Sequence, residues 1–502
     1  MDSTLSKPPA TTGYQEIRGA SSGQRLLFLF KDSMLYGGAW AFSRVLALFT
    51  IPILTRLFST EAYGALDAIA TLGALFIAFI TMGQDSAIAR FYYETEDPAE
   101  RREIISQSLL IQGVFCAAVG IALWLTADWV VQKMIVVPDH ADTFRVLVMS
   151  YPFVILFQFC QHLSKWTFGR RQFILLSVGS GLVVAILTLI LVLGFGLGIV
   201  GVFYAQLLGM GLFAVIGLFL YKDYWVWPNR FRYGRKLLSF GWPYMLVAIM
   251  GMMIPALDRI FITHFLDMEA MGYYAAGFKM AVLIVLPITA FQTAWGPFML
   301  ALYKEENALE TYNQVLVYYT AAISFLGFCL VAVAEPLTMV LTSSRYLAGS
   351  VVILPIAFSL IVESIAWIMG IGIDLSKKTY GSTLSYGVGM IVSGIFIAFL
   401  IVPFGIWGVA YGVLLGRIAQ ALSYILFAYR VYPLRFAWRK PLALFLMTLA
   451  SAVLLQRISL PTPVYHALFR FFLFLVLGGV FWRYALSAEG RHWLSVKLKL
   501  FA

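Results

Sequence analysis

The sequence has few charged residues, few cysteines and few histidines. Only 12% of its 502 residues are Asp, Glu, Lys or Arg, and 61% are hydrophobic, whereas soluble domains carry about 25% charged and about 45–50% apolar residues. This balance excludes a soluble enzyme. Cys116, Cys160 and Cys329 lie inside apolar stretches, so we expect small buried side chains rather than a disulfide framework or a metal site.

Motifs for nucleotide, metal and catalytic chemistry are also missing from the sequence. It contains no GxxxxGK[ST] loop, which excludes ATP hydrolysis by that route. The five scattered histidines do not have metal-ligand spacing. The segments between apolar stretches are shorter than about 25 residues, which is too short for a catalytic domain. We therefore predict no metal, no cofactor and no enzyme activity.

The sequence is rich in apolar stretches of about 20 residues, the length with which an α-helix crosses a bilayer. They predict an all-α polytopic membrane protein. We count fourteen transmembrane helices, which begin near residues 34, 65, 105, 145, 173, 200, 240, 271, 314, 351, 382, 407, 441 and 464.

Basic residues predict the orientation of the chain. With the N-terminus inside, 26 of the 36 Lys and Arg residues lie in cytoplasmic segments, six in outer segments and four within helices. Cytoplasmic segments carry the excess of Lys and Arg, so both termini are predicted to be cytoplasmic. Topology thus accounts for the net charge of +11 without a nucleic-acid partner. The polar N-terminal segment does not resemble a removable signal peptide.

Two segments point to an internal repeat. Residues 51–58, IPILTRLF, match residues 254–261, IPALDRIF, at five of eight positions, and EAYG at 61–64 is echoed by EAMG at 269–272. Chance similarity between apolar segments is the alternative. The matched segments end helices 1 and 7. These helices are six apart, an even number, so both copies have the same orientation in the membrane and the repeat is parallel. The predicted plan is two six-helix lobes followed by two further helices.

This plan assigns boundaries to the whole chain. We expect an N-terminal tail, an N-lobe, a basic linker, a C-lobe, a terminal helix pair and a C-terminal tail, at residues 1–32, 33–220, 221–239, 240–429, 430–486 and 487–502.

Four ionisable residues lie near the middle of predicted helices: Arg44, Lys279, Glu363 and Arg417. Such charges are costly unless they face a polar cavity or a partner. Arg44 and Lys279 belong to different lobes, and neither has an acidic neighbour within a turn of its own helix. We expect them to line a basic cavity between the lobes, which suits an anionic substrate. Arg417 and Glu363 could instead neutralise each other, and Arg470 is expected to snorkel or to pair locally.

A polar stripe follows one face of the fourth predicted helix, at residues Gln158, Gln161, His162 and Lys165. Their spacing of three, four and seven residues places them together on a helix, and this face should contact water or substrate.

Two further polar pairs lie at helix ends. Asp85 and Arg90 follow the second helix at its cytoplasmic end, where Arg90 could be a gate or an anion contact. Asp258 and Arg259 lie near the outer end of the seventh helix. For that pair a structural ion pair is the alternative to a role in transport.

Three segments carry a family resemblance: GGAWAFSRVLALFTIPILTRLFSTEAYG at 37–64, ALDRIFI at 256–262 and MGYYAAGFKMA at 271–281. Together with the six, six and two plan, they resemble the polysaccharide-transporter branch of the multidrug/oligosaccharidyl-lipid/polysaccharide exporter superfamily. This branch includes the Wzx-type flippases of O-antigen and exopolysaccharide synthesis. The likeness covers helices 1–12 and is strongest in helices 1, 2, 7 and 8.

The resemblance implies a secondary transporter of the inner membrane. It would flip undecaprenyl-pyrophosphate-linked oligosaccharide from the cytoplasmic to the periplasmic leaflet by alternating access, driven by H⁺, Na⁺ or the membrane potential. It would act as a monomer, with a polysaccharide polymerase and a chain-length regulator as expected partners. A pyrophosphate group requires Arg or Lys, and related lipid II flippases place cations in helices 1 and 8, as Arg44 and Lys279 are placed here.

The resemblance also gives expected roles to the polar residues. The candidates for binding pyrophosphate are Arg44, Lys279, Arg90, Lys165 and Arg417. The candidates for coupling or gating are Asp85, His162, Glu363, Asp258 and Arg259.

Two other functions remain as alternatives. A cation-coupled multidrug exporter of the same superfamily would often carry an acidic residue within helix 1, where this sequence has Arg44 and no acid; Asp32 lies just before the helix. A membrane scaffold for polysaccharide synthesis that transports nothing is the third interpretation.

Overall fold

The computed structural model describes residues 38, 49–136, 139–167, 169–228, 231–303, 307–376, 380–458 and 463–485. Its regular elements are helices throughout these residues, so the predicted all-α fold is confirmed. The chain divides into two compact units, one up to Gly272 and one from Tyr273 onward.

Unit 1 begins, in its continuous part, with a helical segment at residues 49–57. Its long helices are α1 (Thr60–Glu94), α2 (Pro98–Leu125), α3 (Ala141–Trp166), α4 (Arg170–Gly194), α5 (Gly198–Leu220) and α6 (Gly234–Phe265). A short helix, Ala127–Met134, connects α2 to α3. Unit 1 also contains the start of α7 (Met268–Thr293).

Unit 2 contains the remainder of α7, which runs on through the helical segment Val285–Leu302. Its other long helices are α8 (Ala308–Ala332), α9 (Ser344–Met369), α10 (Tyr380–Val431), α11 (Arg439–Arg457) and α12 (Pro463–Val480). Short helices at Ala334–Leu341 and Ile371–Ser376 follow α8 and α9.

The described helices agree with the predicted spans. Eleven of them, α1 to α11, are long and apolar enough to cross a membrane. The 52-residue α10 covers two predicted spans. Between them, at Gly405, the backbone leaves the helical conformation. The fourteenth span corresponds to α12, with an apolar part at Leu468–Val480. Most of the first span lies outside the described residues.

Helix α3 lies in the core of unit 1. In its most apolar window 67% of the residues are buried, against 22% in α4, and its fully buried Tyr151 donates a hydrogen bond to the carbonyl of Gly73 on α1. Exposed apolar side chains on α4, such as Leu182, Ile186 and Leu193, suit contact with lipid. Helix α3 is therefore buried within unit 1, and α4 presents an exposed apolar surface.

Two glycines from the repeated segments meet at one contact in unit 1. A Cβ atom on Gly64 would lie 2.5 Å from the carbonyl oxygen of Met268, and one on Gly272 would lie 2.0 Å from that of Thr60. Backbone atoms cannot yield as a flexible side chain can, so this contact requires glycine at both places. Equivalent positions in the two repeats thus have reciprocal roles.

The division between the units differs from the predicted lobe boundary at residues 221–239. Helix α6, which the plan assigns to the C-lobe, packs against α1 and α2 within unit 1. The six-helix lobes and their boundaries stay a prediction.

The cysteines are unpaired, as the sequence indicates. Cys116 and Cys160 are buried and Cys329 is partly buried. They pack as small apolar side chains.

Candidate functional site

A break in α1 positions the first group of candidate residues. The helix stops after Ile80 and restarts at Gln84, with Gly83 between them in the left-handed conformation at φ 62°. A Cβ atom on Gly83 would lie 2.1 Å from the carbonyl oxygen of Gly241 on α6, so glycine is required here. The break places Asp85 in the first turn of the new helical segment.

Asp85 meets the polar stripe of α3. The Nε2 atom of His162 lies 3.3 Å from Oδ2 of Asp85, and the two side chains are 29% and 42% exposed. Lys165 also interacts electrostatically with Asp85, and its Nζ lies 5.3 Å from the ring centre of Phe173. We call Asp85, His162 and Lys165 the Asp85 cluster. It joins a carboxylate, an imidazole and an ammonium group, which can hold and exchange protons.

The four residues of the predicted stripe share one environment, and their contact with water or substrate stays a prediction. Gln158, Gln161, His162 and Lys165 are all partly buried, whereas Cys160 and Leu163 on the opposite face are buried. His162 stacks on Trp166 with 6.0 Å between the ring centres, and the amide of Gln161 donates to Ser177 Oγ at 2.7 Å. The stripe is therefore a polar face of the kind predicted from the sequence.

The start of the predicted linker contacts the C-terminal end of α3. The Tyr221 hydroxyl donates to Ser164 Oγ at 2.8 Å. Burial raises the pKa of the Tyr221 phenol, so this group stays protonated and remains a donor at neutral pH. The linker also contacts α2, where Gln107 Oε1 accepts from the backbone N–H of Tyr233 at 2.8 Å. The first bond ties the linker to the helix that carries Lys165, and the second ties it to α2.

Arg90 is more exposed than the Asp85 cluster. Its Nη2 lies 2.8 Å from Glu94 Oε1 one turn along the same helix, and the two side chains are 60% and 49% exposed. An exposed pair of this kind contributes about 0–1 kcal/mol to stability, so Arg90 can exchange Glu94 for another anion at little cost.

Asp258 and Arg259 belong to a buried ion network. Arg259 contacts Asp258 Oδ2 through Nη1 at 3.0 Å, and contacts Asp67 Oδ2 on α1 through Nε and Nη2 at 3.2 and 3.1 Å. All three side chains are less than a tenth exposed. The structural ion pair weighed from the sequence is therefore present. Asp67 was missed as a candidate, although an acidic residue in an apolar helix was a visible signal.

Glu363 and Arg417 form the second predicted pair, within unit 2. Arg417 Nη1 lies 2.7 Å from Glu363 Oε1, which also accepts from the Tyr386 hydroxyl at 3.0 Å and from the Gln420 amide at 3.3 Å. No pattern in the sequence pairs Tyr386 with Glu363, and Gln420 is recognisable only as lying one turn from Arg417. Arg417 and Glu363 therefore pair with each other, which is the alternative that the sequence left open.

This network borders a cavity of about 490 Å³ inside unit 2, which we call the unit 2 cavity. Its wall is formed by α7, α9 and the two halves of α10. Its lining combines apolar residues with hydroxyl, amide and aromatic groups. Gln292 contributes an amide, and Trp367 and Tyr424 contribute aromatic rings. A cavity of this size falls in the range of small-molecule sites, about 300–1,000 Å³.

The remaining intramembrane cations have different environments. Lys279 is partly buried on α7, beside the buried Met280. Arg470 forms an ion pair with Glu335 at 3.0 Å, as the local-pairing interpretation expects. Arg44 lies outside the described residues. The predicted cavity between lobes stays a prediction.

Binding of a metal ion needs several ligating side chains close together, and this can be examined for the residues that the structure describes. Within that part of the chain, no cluster of three or more His, Cys, Asp or Glu side chains could hold a metal ion. The absence of a cofactor and a coupling ion, H⁺ or Na⁺, stay predictions.

Comparison with known proteins gives a family. The family described as "Polysaccharide biosynthesis protein" matches residues 29–303, more than half of the chain. Two relatives come from Haemophilus influenzae. "Lsg locus putative protein 1" is 23% identical over 56% of this chain and 68% of its own length. An "Uncharacterized membrane protein" is 25% identical over 54% of this chain and 65% of its own length.

Solved structures with the same fold are transporters. The lipid II flippase MurJ in an inward closed conformation matches with a TM-score of 0.70 and 16% identity, over 90% of this chain and 99% of that chain. An inward-facing multidrug resistance MATE family transporter of the MOP superfamily matches with a TM-score of 0.64 and 16% identity, over 83% and 97%. At these identities the likeness shows the fold alone.

Proposed function

This chain belongs to the family of polysaccharide biosynthesis proteins, and from that premise we propose that it is a flippase for lipid-linked oligosaccharide. Its substrate would be an undecaprenyl-pyrophosphate-linked repeat unit, moved from the cytoplasmic to the periplasmic leaflet for O-antigen or exopolysaccharide synthesis. The observation that carries the proposal is the family match over residues 29–303, which includes Arg44, Arg90, Lys165 and Lys279. A fold shared with a lipid II flippase supports it.

Cations within the apolar helices would bind the pyrophosphate. Lys165 and Lys279 are partly buried in long apolar helices, where a phosphate group is a strong hydrogen-bond acceptor for an ammonium donor. Arg44 and Arg90 complete the proposed set. We leave Arg417 out, because its guanidinium is neutralised by Glu363 at 2.7 Å.

Coupling to an ion gradient would use the Asp85 cluster. The Asp85 carboxylate lies within 3.3 Å of the His162 imidazole, and both groups can gain and lose a proton. Protonation of this pair would alter the charge beside Lys165 and thereby its attraction for phosphate. The proposed driving force is a proton gradient. The buried network of Asp67, Asp258 and Arg259 would instead hold helices together.

The cellular setting follows from the same proposal. We propose that the protein resides in the inner membrane with both termini in the cytoplasm and acts as a monomer. It would deliver its product to a polysaccharide polymerase and a chain-length regulator on the periplasmic side.

Gene deletion and complementation test the proposal. Lipid-linked saccharide is measured in each leaflet of cells that carry wild type, Arg44→Ala, Lys279→Ala or the control Arg470→Ala, each checked for membrane expression. We expect accumulation in the cytoplasmic leaflet without the protein and with the first two variants. Arg470→Ala should restore flipping, because Arg470 pairs with Glu335. Full rescue by both Arg44→Ala and Lys279→Ala would contradict the assignment of these residues to pyrophosphate binding.

A multidrug exporter is the second candidate. The fold of MATE family transporters, matched with a TM-score of 0.64, favours it, whereas the cation Arg44 in the first helix opposes a cationic substrate. Deletion that raises drug sensitivity without accumulating lipid-linked saccharide would establish this function instead.

A further inference from the structure

The unit 2 cavity has no role in the function proposed above, and its chemistry differs from that of a pyrophosphate site. Its volume is about 490 Å³. Among its described lining residues, Glu363 is the single carboxylate, and no lysine or arginine belongs to the lining. The cavity is therefore a site for something other than an anion.

Its carboxylate is already neutralised. Glu363 Oε1 accepts hydrogen bonds from Arg417 at 2.7 Å, Tyr386 at 3.0 Å and Gln420 at 3.3 Å. Arg417 already balances the charge of Glu363, so a cation in the cavity would find no carboxylate with an unbalanced charge, and an anion would face the carboxylate without a lining cation. The lining thus favours a ligand without net charge.

The rest of the lining offers hydrogen bonds and flat apolar faces. Gln292, Ser364 and Ser382 contribute an amide and two hydroxyl groups, and Trp367 and Tyr424 contribute rings. A buried hydroxyl of a ligand must be hydrogen-bonded or its desolvation costs binding energy. A ring that buries a large apolar area can cover the C–H face of the same ligand. Sugars present both surfaces, and a polyol without charge matches every property of this wall.

We propose that the unit 2 cavity is a saccharide subsite, which binds one or two sugar residues of the translocated oligosaccharide. The inference rests on the proposed function for its biological role, but the binding itself does not depend on flipping. Trp367 packs against a sugar ring and Gln292 hydrogen-bonds its hydroxyl groups. The pair of Glu363 and Arg417 positions Tyr386 and Gln420 at the wall.

Saturation-transfer difference NMR on the purified full-length protein in detergent tests the subsite. The probes are the methyl glycosides of glucose, galactose, N-acetylglucosamine and rhamnose, with tetraethylammonium and inorganic pyrophosphate as probes of other charge. We expect saturation transfer to at least one sugar. Trp367→Leu and Gln292→Leu should each lower it at least about fivefold, since each removes a main contact. Trp407→Leu is the matched control, because Trp407 lies in the same unit but outside the lining, against Tyr411.

The outcomes separate this inference from the proposed function. Transfer to none of the four sugars, equal transfer in Trp367→Leu, Gln292→Leu and wild type, or transfer to tetraethylammonium alone would overturn the subsite. Gln292→Leu keeps the test valid where Trp367→Leu fails to fold. Lys279→Ala should keep sugar binding and lose flipping. Sugar binding in a protein that flips no lipid-linked saccharide would retain the subsite and refute the flippase.

Discussion

Arg259 places Nε and Nη2 at 3.2 and 3.1 Å from one carboxylate oxygen of Asp67, a residue 192 positions earlier in the chain. This contact joins α1 to α6 inside unit 1, and Asp258 contacts the same guanidinium at 3.0 Å. The equivalent of Arg259 in the first repeat is Arg56, which is exposed. The repeated arginine therefore has a buried role in one copy and a surface role in the other.

Removal of Asp67 should destabilise the protein. Asp67→Ala takes away one partner of a buried charge, a loss that costs about 3–5 kcal/mol. Arg56→Ala, at the equivalent and exposed position, should cost less than about 1 kcal/mol. Equilibrium unfolding by SDS in mixed micelles measures both. Equal stability of Asp67→Ala and wild type would show that the network does not hold α1 to α6.

The glycine contact should tolerate no added methyl group. In Gly272→Ala the new Cβ atom would lie 2.0 Å from the Thr60 carbonyl oxygen, so the helices must move apart. Gly251→Ala is the control, since nothing lies within 4 Å of its added Cβ and alanine favours a helix by about 1 kcal/mol. Thermal unfolding in detergent should show a lower melting temperature for Gly272→Ala alone. A wild-type melting temperature for that variant would refute the close contact.

Arg417 should stabilise the fold because it balances the charge of Glu363. Arg417→Met leaves the carboxylate with Tyr386 and Gln420 as donors, and loss of the ion pair should cost about 3–5 kcal/mol. The double variant Glu363→Gln with Arg417→Met should recover part of that loss, because no unpaired charge remains. The control Arg457→Met removes a cation that lies over Trp407. Additive losses in the double variant, measured by SDS unfolding, would contradict the coupling.

The Asp85 cluster should determine how flipping depends on pH. Wild type should change its flipping rate with pH, because His162 gains and loses its charge beside Asp85. Asp85→Asn and His162→Gln should flatten this profile, and Lys165 is the charged group that faces them. Asp128→Asn, which alters an exposed partner of Arg145, should keep the wild-type profile. The rates are measured in proteoliposomes, and an unchanged profile in both cluster variants would exclude the pair as the proton site.

Local patterns in the sequence were enough for the fold. Apolar stretches of span length correspond to the helices α1 to α12, and the stripe at Gln158, Gln161, His162 and Lys165 has the shared environment that its spacing predicts. Helical periodicity and hydropathy act over a few turns, so a single sequence contains them in full.

Contacts between distant residues could not be predicted in the same way. Nothing local to Arg259 indicates Asp67, and nothing local to Glu363 indicates Tyr386. The unit 2 cavity depends on how α7, α9 and both halves of α10 pack. A charge inside an apolar helix indicates that a partner or a polar cavity is present. The packing of the helices determines which residues form that partner or cavity.

Flipping by the purified protein is the most direct test of the central claim. Proteoliposomes would contain fluorescent undecaprenyl-pyrophosphoryl N-acetylglucosamine, and dithionite would quench the label in the outer leaflet only. We expect wild type to make almost all of the label accessible, Lys279→Ala to leave about half protected, as in protein-free liposomes, and Arg470→Ala to behave as wild type. Protection of half the label with wild type, under a proton gradient of either direction, would contradict the proposed flippase function.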